Sequence, residues 1–329
     1  MRFPGVKTAK TFSRWVQARI LGGALILGYH RIADVTQDEY EVCVTPDHFA
    51  EQMEILSRHA SPVSLNKLVY HLKEGVLPPK SVAVTFDDGY VDNLHEAKPV
   101  LEKYAIPATV FVCTGYAGRE FWWDELERMV MSSKAELSAF LPDVGKGQFV
   151  WIPPGVSREA GLESRRKFSR ALYNFLLVLD IEEQEHVMNA IRGWANVSPN
   201  DVKARAMTHD ELLQLVDGGL IGIGAHTRHH PMLPRLAQER QREEIVASKN
   251  DLEGLLGMRV DGLAYPNGRA TDDAQRIARE AGFVFACTSL YDVVRPAGNP
   301  YELTRFWQKD VDGDRFLQGL RLWMKGMQV

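Results

Sequence analysis

VAVTFDDGY, residues 82–90, is the stretch from which the rest of the chain is read. Val82, Ala83, Val84, Thr85 and Phe86 form an apolar, β-branched run without a breaker, which predicts a buried strand. Two adjacent carboxylates, Asp87 and Asp88, follow at once, and then Gly89. Successive side chains leaving a strand point in different directions. The two acids can therefore take different work, one as a metal ligand and one as a general base. Gly89 permits a tight turn. The plain alternative is a strand-end turn with two solvated acids, because Asp-Gly is ordinary turn chemistry.

The chain has 329 residues, room for one large α/β domain or two ordinary ones. Lys+Arg number 39 against 43 Asp+Glu, so the basic excess of a dedicated nucleic-acid binder is missing. Cys43, Cys113 and Cys287 are scattered and make no CxxC pair or disulfide framework. A reducing compartment is the simpler inference.

Residues 1–22 are read as a basic amphipathic segment. Lys7, Lys10, Arg14 and Arg19 alternate with Phe12, Trp15, Val16 and Ile20 at helical spacing. Such a segment suits peripheral contact with the inner face of a membrane, and a cytoplasmic location is expected. A helix docked on the domain and an export signal are the competing readings. The apolar stretch 20–29 is too short to span a bilayer. Residues 24–29 read instead as a core strand that delivers His30 at its end.

From residue 23 to the C-terminus one domain is expected. Thr45-Pro46 opens a helix with Thr45 as N-cap, and Ser64 caps a second that stops at Gly75. A helix near 94–104 and a strand at 108–113 continue an alternation of strand and helix. Residues 121–205 interrupt it with a helical insertion, including a turn at 143–147. Trp123 lies at its start and is a candidate for stacking on a sugar. Alternation then resumes. Thr208 and Glu211 form a capping box. Strands are expected at 220–225, 262–265, 283–287 and 302–306, and a last helix at 314–327.

The second chemical cluster is GAHTRHHP, residues 224–231. His226 ends a strand and Pro231 opposes a helix, so the cluster is a strand-end loop. His226 and His230 can reach one point if the loop turns back. Neutral imidazole suits Zn²⁺, and Asp88 completes a three-ligand set that leaves positions open for water and substrate. A His-rich surface loop is the bland reading.

TFDDGY at 85–90, HTRHH at 226–230 and LAYPNG at 263–268 together resemble the polysaccharide deacetylases of the NodB-homology type, carbohydrate esterase family 4. LGYHRI at 27–32 resembles the exopolysaccharide-deacetylase branch, in which this histidine segment precedes the Asp pair. The resemblance covers most of the chain from about residue 24 to 310. It implies an α/β fold, a distorted (β/α) barrel of about seven strands. Asp88, His226 and His230 would hold one divalent metal ion, Zn²⁺ by expectation. Asp87 would be the general base and His30 the general acid. Tyr265, Pro266, Asn267, Trp123 and Arg305 would contact substrate, with a backbone N–H near Tyr265 offered to the oxyanion. Asn267 stands where the branch commonly has an aromatic.

The implied activity is metal-dependent hydrolysis of the acetamide of an N-acetylated sugar, in a polysaccharide or its lipid-linked precursor. The implied partner is accordingly an N-acetylated glycan or glycolipid, not a nucleic acid. A deformylase or small cyclic-amide hydrolase on the same fold is the alternative. A non-catalytic glycan binder is disfavoured, since a relic has no physical need for an intact base, acid and ligand set.

Overall fold

The computed structural model of the chain describes residues 23–35, 38–75, 77–135, 158–198, 204–296 and 298–326. The basic segment 1–22, the expected turn at 143–147 and Met327 lie outside the described residues.

The elements run β1 (Leu25–Tyr29), β2 (Arg31–Ile32), β3 (Cys43–Val44), α1 (Pro46–His59), β4 (Ser61–Pro62), α2 (Leu65–Glu74) and β5 (Ser81–Phe86). Next come α3 (Lys98–Tyr104), β6 (Ala108–Val112), α4 (Trp122–Ser132), α5 (Arg158–Leu176), α6 (Ile181–Ala195) and α7 (His209–Val216). The chain closes with β7 (Ile221–Ala225), α8 (Gln238–Leu256), β8 (Gly262–Ala264), α9 (Asp272–Glu280), β9 (Phe285–Cys287), β10 (Phe306–Trp307) and α10 (Gly313–Gly326).

Seven strands lie side by side in the order β10-β1-β5-β6-β7-β8-β9, with β4 branching off β5. Every pairing in this sheet is parallel. Parallel strands covered on both faces read as continuous apolar runs, which is why β1, β5 and β6 are buried at every position. Leu303 bridges Cys287 at one edge, and Phe306 and Trp307 pair with β1 at the other. The sheet thus curls back on itself as a distorted barrel. Ile26, Ala83, Phe111, Ala264 and Phe285 pack one face with α2, while Leu25, Leu27, Val82, Val84 and Phe86 pack the other. Phe111 and Phe285 fit because Gly224 and Gly262 face them, where an added Cβ would come within 2.5 Å of a ring.

The insertion builds its own core. Phe121, Trp122, Leu126 and Val130 on or beside α4 pack with Phe168, Leu172 and Leu176 of α5 and with Met188 and Ile191 of α6.

Three local expectations need correction. Thr45 stands at the N-cap of α1 as expected, but its side chain makes no capping bond; its N–H and Oγ1 both donate to Asp310 Oδ1, at 2.9 and 2.8 Å, tying α1 to the C-terminal segment. The helix expected at 94–104 starts as a wide π-type turn over Asn93–Ala97 before α3. Pro99, which has no N–H, sits at that junction. The last strand is 306–307 rather than 302–306, because Leu303 is drawn to β9. Ser64 and the Thr208/Glu211 capping box act as the sequence predicts. Among the described residues no helix is long and apolar enough to cross a membrane.

Candidate active site

Parallel strands present all their C-terminal ends on one edge of the barrel, where such folds carry their chemistry. β1 brings His30 there, β5 brings Asp87 and Asp88, and β7 brings His226. All four line one cavity of about 480 Å³, together with His230, Trp123 and Asn267.

Asp88 and Gly89 both adopt left-handed backbone, with φ of 72° and 86°. Asp tolerates that conformation and Gly suits it. Val112 closes over Gly89, with its nearest atom 3.2 Å from where a Cβ would stand. The turn is fastened by Asp87 N–H to Tyr29 O and by Cys113 N–H to Asp88 O, at 2.9 and 3.1 Å. The two carboxylates consequently diverge, as their adjacency at a strand end predicts.

Asp87 faces Arg305. Its two oxygens accept a fork from Arg305 Nη1 and Nη2 at 2.6 and 2.8 Å. Burial alone would raise the carboxyl, but Arg305 and the neighbouring imidazoles outweigh it, and Asp87 is lowered to about 2. Arg305 itself is fully buried. Its Nε donates to Thr288 O at 3.0 Å. The expectation that Arg305 contacts substrate does not fit this placement: Arg305 has no exposed surface, and both Nη atoms are engaged by Asp87.

Asp88 faces the histidines. His226 Nε2 and His230 Nε2 lie 3.5 and 3.8 Å from the same atom, Asp88 Oδ1. Two ligands about 2.1 Å from a tetrahedral ion stand about 3.4 Å apart, so the spacing is that of a metal site. His226 Nδ1 is 2.8 Å from Ala264 O. A carbonyl only accepts, so Nδ1 carries the proton and the Nε2 lone pair faces Asp88, the usual second partner of a ligating histidine. Burial lowers both imidazoles, His230 well below the ordinary value, and keeps them neutral. Burial and Asp87 push Asp88 far up, and its Oδ1 is buried without a hydrogen bond. A cation at this point offsets both costs. Asp88 paired with either imidazole thus has the spacing and the chemistry of two ligands of one divalent ion.

Cys113 Sγ also lies within 4.8 Å of ligand atoms of Asp88 and His226. Its thiol donates to His226 O at 3.3 Å, and burial raises it well above the ordinary thiol range. A ligand must be thiolate, so His230 is the better third donor.

The loop that carries the histidines is shaped from behind by Glu244 of α8. Its Oε2 accepts the N–H groups of Arg228 and His229, both at 2.9 Å, and its Oε1 lies 2.7 Å from His229 Nδ1. His229 is thereby turned away from the metal position. Thr227 and His230 take left-handed backbone, and His230 N–H donates to Thr227 Oγ1.

His30 stacks on Trp307, with ring centroids 4.5 Å apart and planes 16° apart. Burial lowers its imidazole to about 4, against the opposing pull of Asp87. His30 is accordingly neutral in the resting site at neutral pH.

The segment around Tyr265 also differs from expectation. Tyr265 N–H donates to Cys287 O at 3.1 Å and is not free for an oxyanion. Pro266 has no N–H, and Gly268 N–H donates to Tyr265 O at 2.8 Å. Asn267, at φ 55°, is the loop position whose N–H donates to nothing among the described residues, and its Nδ2 is buried without a partner. Tyr265 and Pro266 are buried supports that do not line the cavity. Trp123 stacks on Phe121 at 4.7 Å and 7°, and its Nε1 donates to Tyr90 Oη. It walls the site beside His230 with little ring surface left for a sugar. Tyr40, Tyr173 and Trp307 line the cavity too, and no short motif marks them.

The family model for polysaccharide deacetylase matches residues 74–138 and 174–286, more than half of the chain. The chain belongs to this family. A poly-β-1,6-N-acetyl-D-glucosamine N-deacetylase of Staphylococcus aureus is 32% identical over 127 residues, 35% of this chain and 42% of that protein. The protein of the same name from Staphylococcus epidermidis is 33% identical over 108 residues, 29% and 37% of the two chains. The matches thus span less than half the length of these relatives. Among solved structures, the Streptococcus pyogenes deacetylase PplD in complex with acetate aligns with TM-score 0.59 at 20% identity, over 91% of this chain and 98% of that one. IcaB from Ammonifex degensii aligns with TM-score 0.59 at 20% identity, over 94% and 98%. At that identity the likeness is one of fold.

Proposed function

We propose that the protein is a metal-dependent N-deacetylase that hydrolyses the acetamide of an N-acetylated sugar in a polysaccharide. The observation that carries this reading is the pair of neutral imidazoles sharing Asp88 Oδ1 beside an ionised, arginine-held Asp87. The names of the staphylococcal relatives support the sugar amide as substrate. One oxygen and two nitrogen donors suit Zn²⁺.

A divalent ion held by Asp88, His226 and His230 supplies Lewis-acid polarisation of the acyl oxygen and lowers the pKa of water. Asp87, ionised at any working pH, accepts the proton of the attacking water. The Asn267 N–H is the donor open to the acyl oxygen as charge develops there. An amine leaves poorly unless protonated, and His30 borders the same cavity. Because His30 is neutral at rest, the proton that Asp87 takes from water must be handed on to His30 and from it to the leaving nitrogen, which returns both groups to their resting state. Water thus loses one proton and the amine gains one.

Acetate and free amine are measured after incubation with N-acetylglucosamine oligomers and with a panel of formamides and cyclic amides. Acetate release from the oligomers supports the reading. Turnover confined to formamides or cyclic amides refutes it in favour of the alternative substrate class.

A further inference from the structure

The helical insertion reaches the cavity. Phe168, Leu172 and Leu176 recur every four residues along α5 and point into the insertion core. Tyr173 follows Leu172 and is turned about 100° from it, to the edge of that stripe. There it lines the same cavity as Asp87, Asp88 and His230. Its ring stacks on Trp122 of α4 at 5.2 Å and 22°. On its other contact is Tyr40, with centroids 4.8 Å apart. Tyr40 belongs to the barrel, in the loop before β3, and the insertion holds that loop in place. Arg166 Nε pairs with Glu39 at 2.5 Å, and Arg170 Nη2 donates to Glu39 O at 3.1 Å. Lys309 pairs with the adjacent Glu41 at 2.8 Å on the exposed far side of the loop. Both tyrosines are partly exposed. Burial pushes Tyr173 up to about 12, with a smaller contribution from Asp88, so its hydroxyl stays protonated and can donate.

We propose that Tyr40 and Tyr173 form a carbohydrate subsite beside the metal position, which holds a sugar unit adjoining the one that is deacetylated. This rests on the glycan-deacetylase reading and adds what the insertion does for it. Sugar rings combine apolar C–H faces with hydroxyls, and a tyrosine offers an apolar ring with a polar tip. The pair presents partly exposed ring surface, with the Tyr40 hydroxyl itself buried, on rigid side chains that lose little conformational freedom on binding.

The test compares the wild type with Tyr40→Ala and Tyr173→Phe. The substrates are N-acetylglucosamine oligomers of increasing length and a small aryl acetate that reaches only the metal position. The wild type should show KM falling as the oligomer lengthens. Tyr40→Ala should lose about two- to ten-fold in kcat/KM on the longer oligomers, as expected for one aromatic contact, with the loss growing with length. Tyr173→Phe keeps the ring and removes only the hydroxyl, and should show a smaller loss of the same length dependence. A loss equal for oligomers and aryl acetate would make the tyrosines structural supports of the metal site and overturn the subsite. Acetate release with no dependence on length would overturn the subsite and leave the deacetylase reading standing. Failure of the wild type to release acetate from any oligomer would remove that reading and the subsite with it.

Discussion

Replacing Arg305 should convert a pH-indifferent base into a pH-dependent one. Arg305 and Asp87 are both buried, and the guanidinium fork supplies the hydrogen bonds to the carboxylate. With the pair intact Asp87 sits at about 2, below the ordinary 3.8. In Arg305→Met the lowering influence is gone while burial remains, so the carboxyl rises past 3.8. Returning from about 2 to 3.8 alone corresponds to roughly 2–3 kcal/mol of lost preference for the ionised form. Breaking a buried pair by removing one partner costs about 3–5 kcal/mol of stability. The sign follows from the lowered folded-state value. The pair's contribution to stability is present above 3.8 and is lost as pH falls through about 2. The variant lacks it throughout. Arg305→Lys keeps the charge but not the fork, and serves where the Met variant folds poorly. The assay is acetate release from an N-acetylglucosamine oligomer between about pH 4 and 9, with metal content measured alongside. Both variants should keep the metal. Near neutrality the carboxyl stays ionised, and kcat should fall as pH drops through its raised value, a limb that the wild type lacks in this range. A variant with wild-type rate and a flat pH profile would show that Asp87 needs no partner and is not the base.

Three further outcomes are expected. His30→Ala should keep the metal and lose on the order of 10²–10⁴ on an amide but much less on an aryl acetate, whose leaving group departs without a proton; equal losses on both substrates would remove His30 from the protonating role. Glu244→Ala leaves the N–H groups of Arg228 and His229 and the His229 ring without their acceptor, so the ligand loop loosens. Metal affinity should drop by about 10–100-fold, measured by chelator competition, and unchanged affinity would refute the clamp. Glu211 accepts a bidentate pair from Arg205 at 2.7 Å and caps α7 through Thr208 N–H. Arg205 holds the Glu211 carboxyl at about 2 against the ordinary 4.5. Its contribution is therefore present above pH 4.5 and fades as pH falls towards 2. Glu211→Gln should lower stability by about 1–2 kcal/mol at neutral pH, with the difference from wild type shrinking in acid; a difference independent of pH would contradict the pairing.

The parts legible in the sequence are those whose chemistry is local. The run 82–86 is β-branched and apolar because the strand is buried on both faces, and the two acids after it diverge because the turn forces them to. HTRHH likewise holds its spacing within one loop, and His229 is excluded by a glutamate the sequence does not point to. What could not be read depends on pairs distant in sequence. Arg305 is 218 residues from the carboxylate it holds, and nothing local in the sequence ties the two together. Tyr40 and Tyr173 meet only because the insertion folds back over the barrel loop. The sequence puts an oxyanion donor near Tyr265, but β8 extends its hydrogen bonding by one residue to Cys287 and takes that N–H. Among the described residues the Asn267 N–H is left without an acceptor, at the left-handed turn after Pro266.

The central claim is that Asp88, His226 and His230 hold the ion that makes Asp87 useful. Zinc bound per chain and acetate released per minute are measured together, for chelator-stripped wild type, Asp88→Ala and Asp87→Asn, before and after Zn²⁺ is restored. The account predicts one zinc and full recovery in the wild type, and neither in Asp88→Ala. It predicts one zinc without recovery in Asp87→Asn. Acetate release at full rate from stripped protein, or one tightly bound zinc in Asp88→Ala, would contradict it.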